Sequence, residues 1–202
     1  MATDCTYNLC RYNYFMAVEA GMTQDSSRVL QEWLDDEARI RERMTAASGA
    51  APLSRADLAV MPGIAVFEAM FDGRLPGAPI AHTLDFLPVK IEPGLAVFQG
   101  QPLQRHYNPL GTVHGGWFAT LLDSALGCAV HSKLPAGRAY TTLELKINLV
   151  RALTEDVPRV RAEGRVIHLG NQTATAEARL VGPDGKLYAH GTTTCLVFAV
   201  RG

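Results

Sequence analysis

The stretch 117–130 (WFATLLDSALGCAV) restricts the fold more than any other part of the chain. It holds no proline, and it is apolar on nearly every side. Its length favours a helix over a strand, and a helix of that kind is buried around its whole circumference. Strand patterns supply the walls. Residues 84–91 and 95–101 precede the helix and are joined by a turn at Glu92-Pro93-Gly94. Residues 140–149, 159–168 and 172–181 follow it, and a last strand, 187–200, comes after the hairpin signal Pro183-Asp184-Gly185-Lys186. Two strands, one helix, then three or four strands predict an α+β domain: an antiparallel sheet wrapped around one long central helix.

The chain has 202 residues, 48% of them hydrophobic, enough for one domain with an extension. We place the extension at 1–54 and the domain at 55–202. Within the extension, 27–44 is an amphipathic helix with Val29, Leu30, Trp33, Leu34, Ala38 and Ile40 along one stripe. It is expected to pack on the domain or on a partner subunit, and 45–52 reads as a linker. A short helix is expected over 64–71, stopped at Asp72-Gly73. The formal net charge is −1 and basic residues are scattered, which argues against nucleic acid as a partner. No apolar run is long enough for a membrane span, and the first 22 residues do not read as a signal peptide. The four cysteines form no CxxC pair, as expected for reduced thiols in a cytoplasmic protein.

Chemistry enters at Asp123, the one charged residue of the apolar stretch. Burying a carboxylate there costs several kcal/mol unless it is hydrogen-bonded, protonated or reached by solvent. Just upstream lies Gly111-Thr112-Val113-His114-Gly115-Gly116. Glycines at a helix start let another molecule approach the backbone. The first-turn N–H groups have no intrahelical partner and sit at the positive end of the helix dipole. A carbonyl docked there is polarised, and one such donor is worth about 3 to 4 kcal/mol in a transition state. His114 either touches the reacting group or caps the helix. Gly115 and Asp123 are eight residues apart, roughly 12 Å along one helix, so one carbon cannot touch both. Two antiparallel helices about a two-fold axis would unite them, which predicts a homodimer with two interfacial sites. His106, His131, His168 and His190 show no metal-binding spacing, and GxSxG, GxGxxG and P-loop patterns are absent from the sequence.

The run Asn108-Pro109-Leu110-Gly111-Thr112-Val113-His114-Gly115-Gly116, followed by Leu121-Leu122-Asp123, closely resembles the hotdog-fold thioesterases of the phenylacetate-degradation (PaaI-like) type. Thr141-Thr142-Leu143-Glu144-Leu145-Lys146-Ile147-Asn148, His168-Leu169-Gly170 and Asp184-Gly185-Lys186-Leu187-Tyr188-Ala189 are similar to later parts of the same pattern, which covers about 79–200. The resemblance implies a hotdog fold, a dimer of dimers, and hydrolysis of acyl-coenzyme A with no metal and no cofactor beyond the coenzyme A of the substrate. It implies that Gly115 polarises the thioester carbonyl and that Asp123 attacks it or activates water. His114 and Asn108 position the thioester or the water, and Thr142, or Thr141 if the register shifts by one, assists the water. Gly116, Thr141, Gly170 and Asn171 then contact substrate. Two positions depart from the pattern: Arg151-Ala152 replaces Arg-Pro, and Asn171 replaces an Arg often found after the glycine, which removes a cation from the coenzyme phosphates. Two other classes stay open: an acyl-thioester hydratase or dehydratase, and a non-catalytic acyl-CoA-binding protein.

Overall fold

The computed structural model describes residues 23–45 and 54–200. In chain order the elements are α1 (Gln24–Thr45), α2 (Arg55–Val60), α3 (Gly63–Phe71), α4 (Pro79–Thr83), β1 (Phe86–Glu92), β2 (Leu95–Gly100), a single 3-10 turn (Gln104–His106), α5 (Gly115–His131), β3 (Arg138–Leu149), β4 (Val160–Leu169), β5 (Thr173–Val181) and β6 (Leu187–Ala199). The six strands form one antiparallel sheet in the order β1-β2-β4-β5-β6-β3. This is the α+β arrangement expected. Helix α5 lies in the hollow of the sheet, and Leu121, Leu122, Ala125, Leu126, Ala129 and Val130 on it are 0% exposed.

Small residues set the distance between helix and sheet. The inward positions of β5 are Ala174, Ala176, Ala178 and Leu180, in strict alternation with outward polar residues. In β4, a side chain at Gly164 would place its Cβ 2.4 Å from the Ala125 carbonyl oxygen, so only glycine lets the strand lie against the helix backbone there.

The outer face of β1 and β2 carries a second apolar cluster, Leu87, Val89, Leu95 and Val97, covered by Ile40 of α1 with Met44 and Phe71 alongside. Here the amphipathic helix of the extension meets the sheet, and charge ties it down. The Glu37 side chain, 8% exposed, accepts from Arg159 Nε at 2.5 Å and from Gln99 Nε2 at 2.7 Å. Arg161 pairs with Asp36 at 2.9 Å, donates to Gln99 Oε1, and stacks 4.6 Å above the Trp33 ring. The expected linker at 45–52 lies almost wholly outside the described residues, as do residues 1–22.

Two short helices went unread. Ser54-Arg55-Ala56-Asp57 opens α2 with a capping box, in which Ser54 Oγ accepts the Asp57 N–H while Asp57 Oδ2 accepts the Ser54 N–H. Pro79 starts α4, a position that proline favours.

Burial alone would push the Glu37 carboxyl up, but the bonds from Arg159, Arg41 and Gln99 outweigh it and the net shift is downward. A lowered folded-state pKa stabilises the protein above the ordinary carboxylate range, and that contribution is lost as pH falls through the lowered value. Glu37→Gln is therefore expected to cost about 3 kcal/mol at neutral pH, since it strands the largely buried Arg159 guanidinium. Thermal melts across pH should show the gap between the two proteins closing below about pH 4. A gap that does not change with pH would remove the ion pair as its cause.

Candidate active site

The loop leading into α5 is held by its own polar groups. Asn108 Oδ1 accepts the Leu110 N–H at 2.8 Å, and Asn108 Nδ2 donates to Thr112 Oγ1 at 3.0 Å. His106 is buried and stacks on Trp117 at 5.4 Å, with Nε2 2.9 Å from the Asp85 carboxylate. Burial lowers its pKa despite that carboxylate. The His114 N–H donates to the His106 carbonyl, so the buried histidine anchors the helix start.

His114 itself is the N-cap of α5. Its φ of −65° and ψ of 138° are extended, and its Nδ1 accepts the Gly116 N–H at 2.8 Å. The capping alternative raised by the sequence is thus the one this geometry displays, and it occupies the Gly116 donor. The Gly115 N–H has no acceptor among the described residues. It is left at the positive end of the dipole, free to donate to a ligand.

Asp123 lies two turns further along the same unbroken helix, roughly 12 Å from Gly115. It is half-buried, and Thr142 Oγ1 donates to its Oδ1 at 3.2 Å. Of the two adjacent threonines, Thr142 turns toward the helix and Thr141 is exposed on the other face of β3. The Tyr140 ring fills the space over Gly127, where a Cβ would come within 2.3 Å of the phenol oxygen. Burial, and secondarily the Asp123 carboxylate, pushes the Cys128 thiol up to about 12. Burial also raises the Cys195 thiol and the Tyr140 phenol. These three groups stay protonated around Asp123, so neither thiol serves as a nucleophile near neutral pH.

Gly170 and Asn171 form the turn between β4 and β5, with the Gly170 N–H bonded to the Thr173 carbonyl. The cation that the sequence lacks at Asn171 is supplied from elsewhere: the Arg138 guanidinium, at the start of β3, donates to the Asn171 carbonyl. Only the pairing of β6 with both β3 and β5 reveals that proximity.

A mostly apolar recess of 460 Å³ lies on another side of the helix. Its walls include Phe67, Met70, Ala81 and Phe98, and Ser124 and Cys128 of α5 form part of its floor. Sequence reasoning missed it, because its walls come from segments far apart in the chain. Among the described residues, no group of three or more His, Cys, Asp or Glu side chains is placed to hold a metal ion, and no helix is long and apolar enough to cross a membrane.

Residues 110–189, from the loop before α5 into β6, match the profile of the thioesterase superfamily. A provisionally named esterase of Halobacterium salinarum is 33% identical over 108 residues, which make up 50% of this chain and 70% of that protein. Among solved structures, a conserved protein of Pseudomonas aeruginosa aligns with a TM-score of 0.57 at 30% identity, covering 60% of this chain and 95% of its own. A variant of the phenylacetic acid degradation protein PaaI of Thermus thermophilus aligns with a TM-score of 0.53 at 30% identity, covering 59% and 98%.

The raised thiols make a direct test of the environment of Asp123. In a Cys5→Ser, Cys10→Ser background, the two remaining cysteines should react with a disulfide reagent at pH 8 on the order of a thousandfold more slowly folded than unfolded. Stopped-flow labelling in the presence and absence of denaturant measures the ratio. Prompt labelling of Cys195, which is 0% exposed, in the folded protein would contradict its burial.

Proposed function

The chain belongs to the thioesterase superfamily, as a hotdog-fold protein of the PaaI-like type with thioesterase-type activity, and from that premise we propose that it hydrolyses acyl-coenzyme A to a free carboxylic acid and coenzyme A. One observation carries the reading: helix α5 presents an uncommitted backbone donor, the Gly115 N–H, and a carboxylate oriented by Thr142, the Asp123 side chain.

The thioester carbonyl oxygen docks on the Gly115 N–H, where the helix dipole also favours the charge that develops. In the general-base route, Asp123 takes a proton from water as the water oxygen bonds to the carbonyl carbon. The tetrahedral intermediate then expels the sulfur, and the proton passes to the departing thiolate. In the nucleophilic route, an Asp123 oxygen bonds to the carbonyl carbon and expels the thiolate, and water cleaves the resulting mixed anhydride. Thr142 holds the carboxylate in either route. Neither route needs a metal or a further cofactor. Asn108 and His114 serve by shaping the loop and cap that present Gly115. Gly170, Asn171 and the adjacent Arg138 offer a backbone turn and a cation to the coenzyme phosphates.

One site draws on two chains. Strand β3 ends the sheet on one side, and its Leu143 and Leu149 are 60% and 54% exposed. An unpaired strand of this kind is a template for a second copy. Leu149 reaches to 3.0 Å from where a Cβ on Gly115 would lie, and Thr142 bonds Asp123. Antiparallel pairing of two β3 strands about a two-fold axis, in a register that keeps Leu145 and Ile147 facing the helices, sets the Thr142 end of one strand beside the Leu149 end of the other. That register brings Asp123 of one chain to the helix start of the other. A dimer of dimers would repeat the arrangement.

Asp123→Asn should keep the shape of the site and lower kcat/KM for acyl-CoA about a thousandfold or more, with binding of a non-hydrolysable analogue changed by no more than about tenfold. Thiol release near the wild-type rate would end the carboxylate reading.

Sharing of the site can be tested by mixing two inactive variants. Gly115 does not have a positive φ and follows an extended residue, so its backbone accepts proline at the first helical position, with the exposed tip of Leu149 yielding to the new Cβ, and the N–H is removed. Refolding Gly115→Pro together with Asp123→Asn should restore about a quarter of wild-type activity, because about half the dimers are mixed and each has one intact site of two. Mixed dimers, verified by mass spectrometry, that show no activity would refute the shared site.

A further inference from the structure

The apolar recess beside α5 has no part in the chemistry above, yet it borders the helix that carries Asp123. Its floor includes Ser124, the residue after Asp123, and Cys128, one helical turn beyond Ser124 on the same face. Its walls are almost entirely apolar: Phe67 and Met70 from α3, Ala81 from α4, Phe86 and Phe98 from the sheet, and Met44 from the last turn of α1. Charged and titratable groups, Arg41, His82 and Asp85, also border it, and the first two are exposed to solvent. The recess lies along β1, whereas the Arg138 guanidinium and the Gly170–Asn171 turn lie with β3 and the β4–β5 turn. A thioester centred on Asp123 has two arms, one polar and anionic, the other the acyl group. The cation lies on one side and the apolar recess on the other.

Size argues the same way. At 460 Å³ the recess is within the range of small-molecule sites, and it is about three times the roughly 150 Å³ apolar cavity that holds one benzene. An acetyl group would leave most of it unfilled. Methionine walls adapt to a flexible chain more readily than branched side chains do.

Resting on the acyl-CoA reading, we propose that this recess is the acyl chamber, that it selects long unbranched acyl groups over short ones, and that α1 of the amino-terminal extension supplies one wall through Met44. The extension is thereby a specificity element. Burying each further methylene favours the longer ester by up to about fourfold, until the chamber is full.

The test uses the full chain and a series of esters: acetyl-, hexanoyl-, decanoyl- and phenylacetyl-CoA. Thiol release gives kcat/KM for each, and the fluorescence of cis-parinaric acid reports binding of an apolar chain independently of hydrolysis. For the wild type, kcat/KM is expected to be at least about tenfold higher for decanoyl- than for acetyl-CoA. Ala81→Trp and Met44→Trp, which fill the recess from two different elements, should each lower that ratio about tenfold and weaken parinarate binding. Val60→Trp, at a site 73% exposed and outside the recess, should change neither. Thiol release with a flat chain-length profile in the wild type overturns the chamber and leaves the thioesterase reading standing. So does a steep profile that both filling variants, shown folded by circular dichroism, fail to alter. Absence of thiol release from every ester, with parinarate bound by the wild type and lost in the filled variants, overturns the thioesterase reading and leaves the chamber as a binding site for apolar chains. If Ala81→Trp does not fold, Met44→Trp and the wild-type profile decide.

Discussion

Everything in this protein is arranged around a helix that must be dry on nearly all sides and yet carry a carboxylate. Helix α5 buries Leu121, Leu122, Leu126 and Val130 completely, and the curled sheet is what can bury them. Close wrapping requires small residues on the strands, hence the alanines of β5 and the glycine of β4 against the Ala125 carbonyl. The sheet cannot close fully, because its two edges, β1 and β3, flank the remaining face of the helix. Asp123 sits toward the β3 edge, where Thr142 reaches it. Its cost of burial is limited by partial access to solvent and by one hydrogen bond. The apolar recess occupies the other margin of that face.

The beginning of the helix shows how a backbone donor is kept in reserve. Four first-turn N–H groups need partners, and most proteins satisfy them with side chains or water. Here His114 caps Gly116, while the buried pair His106 and Trp117 fixes where the chain enters the helix. The Gly115 donor is left over. Orientation comes from groups that do not touch a ligand, which is how a short loop can be as well placed as a strand.

Periodicity made the sheet, the central helix and the amphipathic helix of the extension legible, because each buries a face whose pattern is local: alternation in 172–181, an apolar stripe in 27–44, a fully apolar run in 117–130. Asp123 and Gly115 stand out as candidates because a lone carboxylate and paired glycines violate the surrounding pattern. What escaped was non-local or short. The six-residue helix α2 is stabilised by its cap more than by any stripe, although Ser54 and Asp57 were a visible signal. Arg138 beside Asn171, and the recess, depend on strand pairing and on elements far apart in sequence. The same holds for Glu37. A charge on the buried side of α1 looks like an imperfection in an amphipathic stripe until Gln99 and Arg159 are placed opposite it.

That clamp also has a history within each molecule. Glu37 and Arg159 are 122 residues apart, and Asp36 and Arg161 are 125 apart. At ordinary rates of synthesis, about 5–20 residues per second, α1 leaves the ribosome roughly 6 to 24 seconds before the arginines that anchor it exist. For the first part of that interval Ile40, buried in the finished protein, lacks β1 and β2, the strands it packs against. Among the described elements, this helix is thus the first long one made and among the last secured. Its acidic and basic side chains, paired along its own surface as Arg28 with Asp25 and Glu32, and Arg39 with Asp36, are what the nascent helix has to keep itself in solution while it waits.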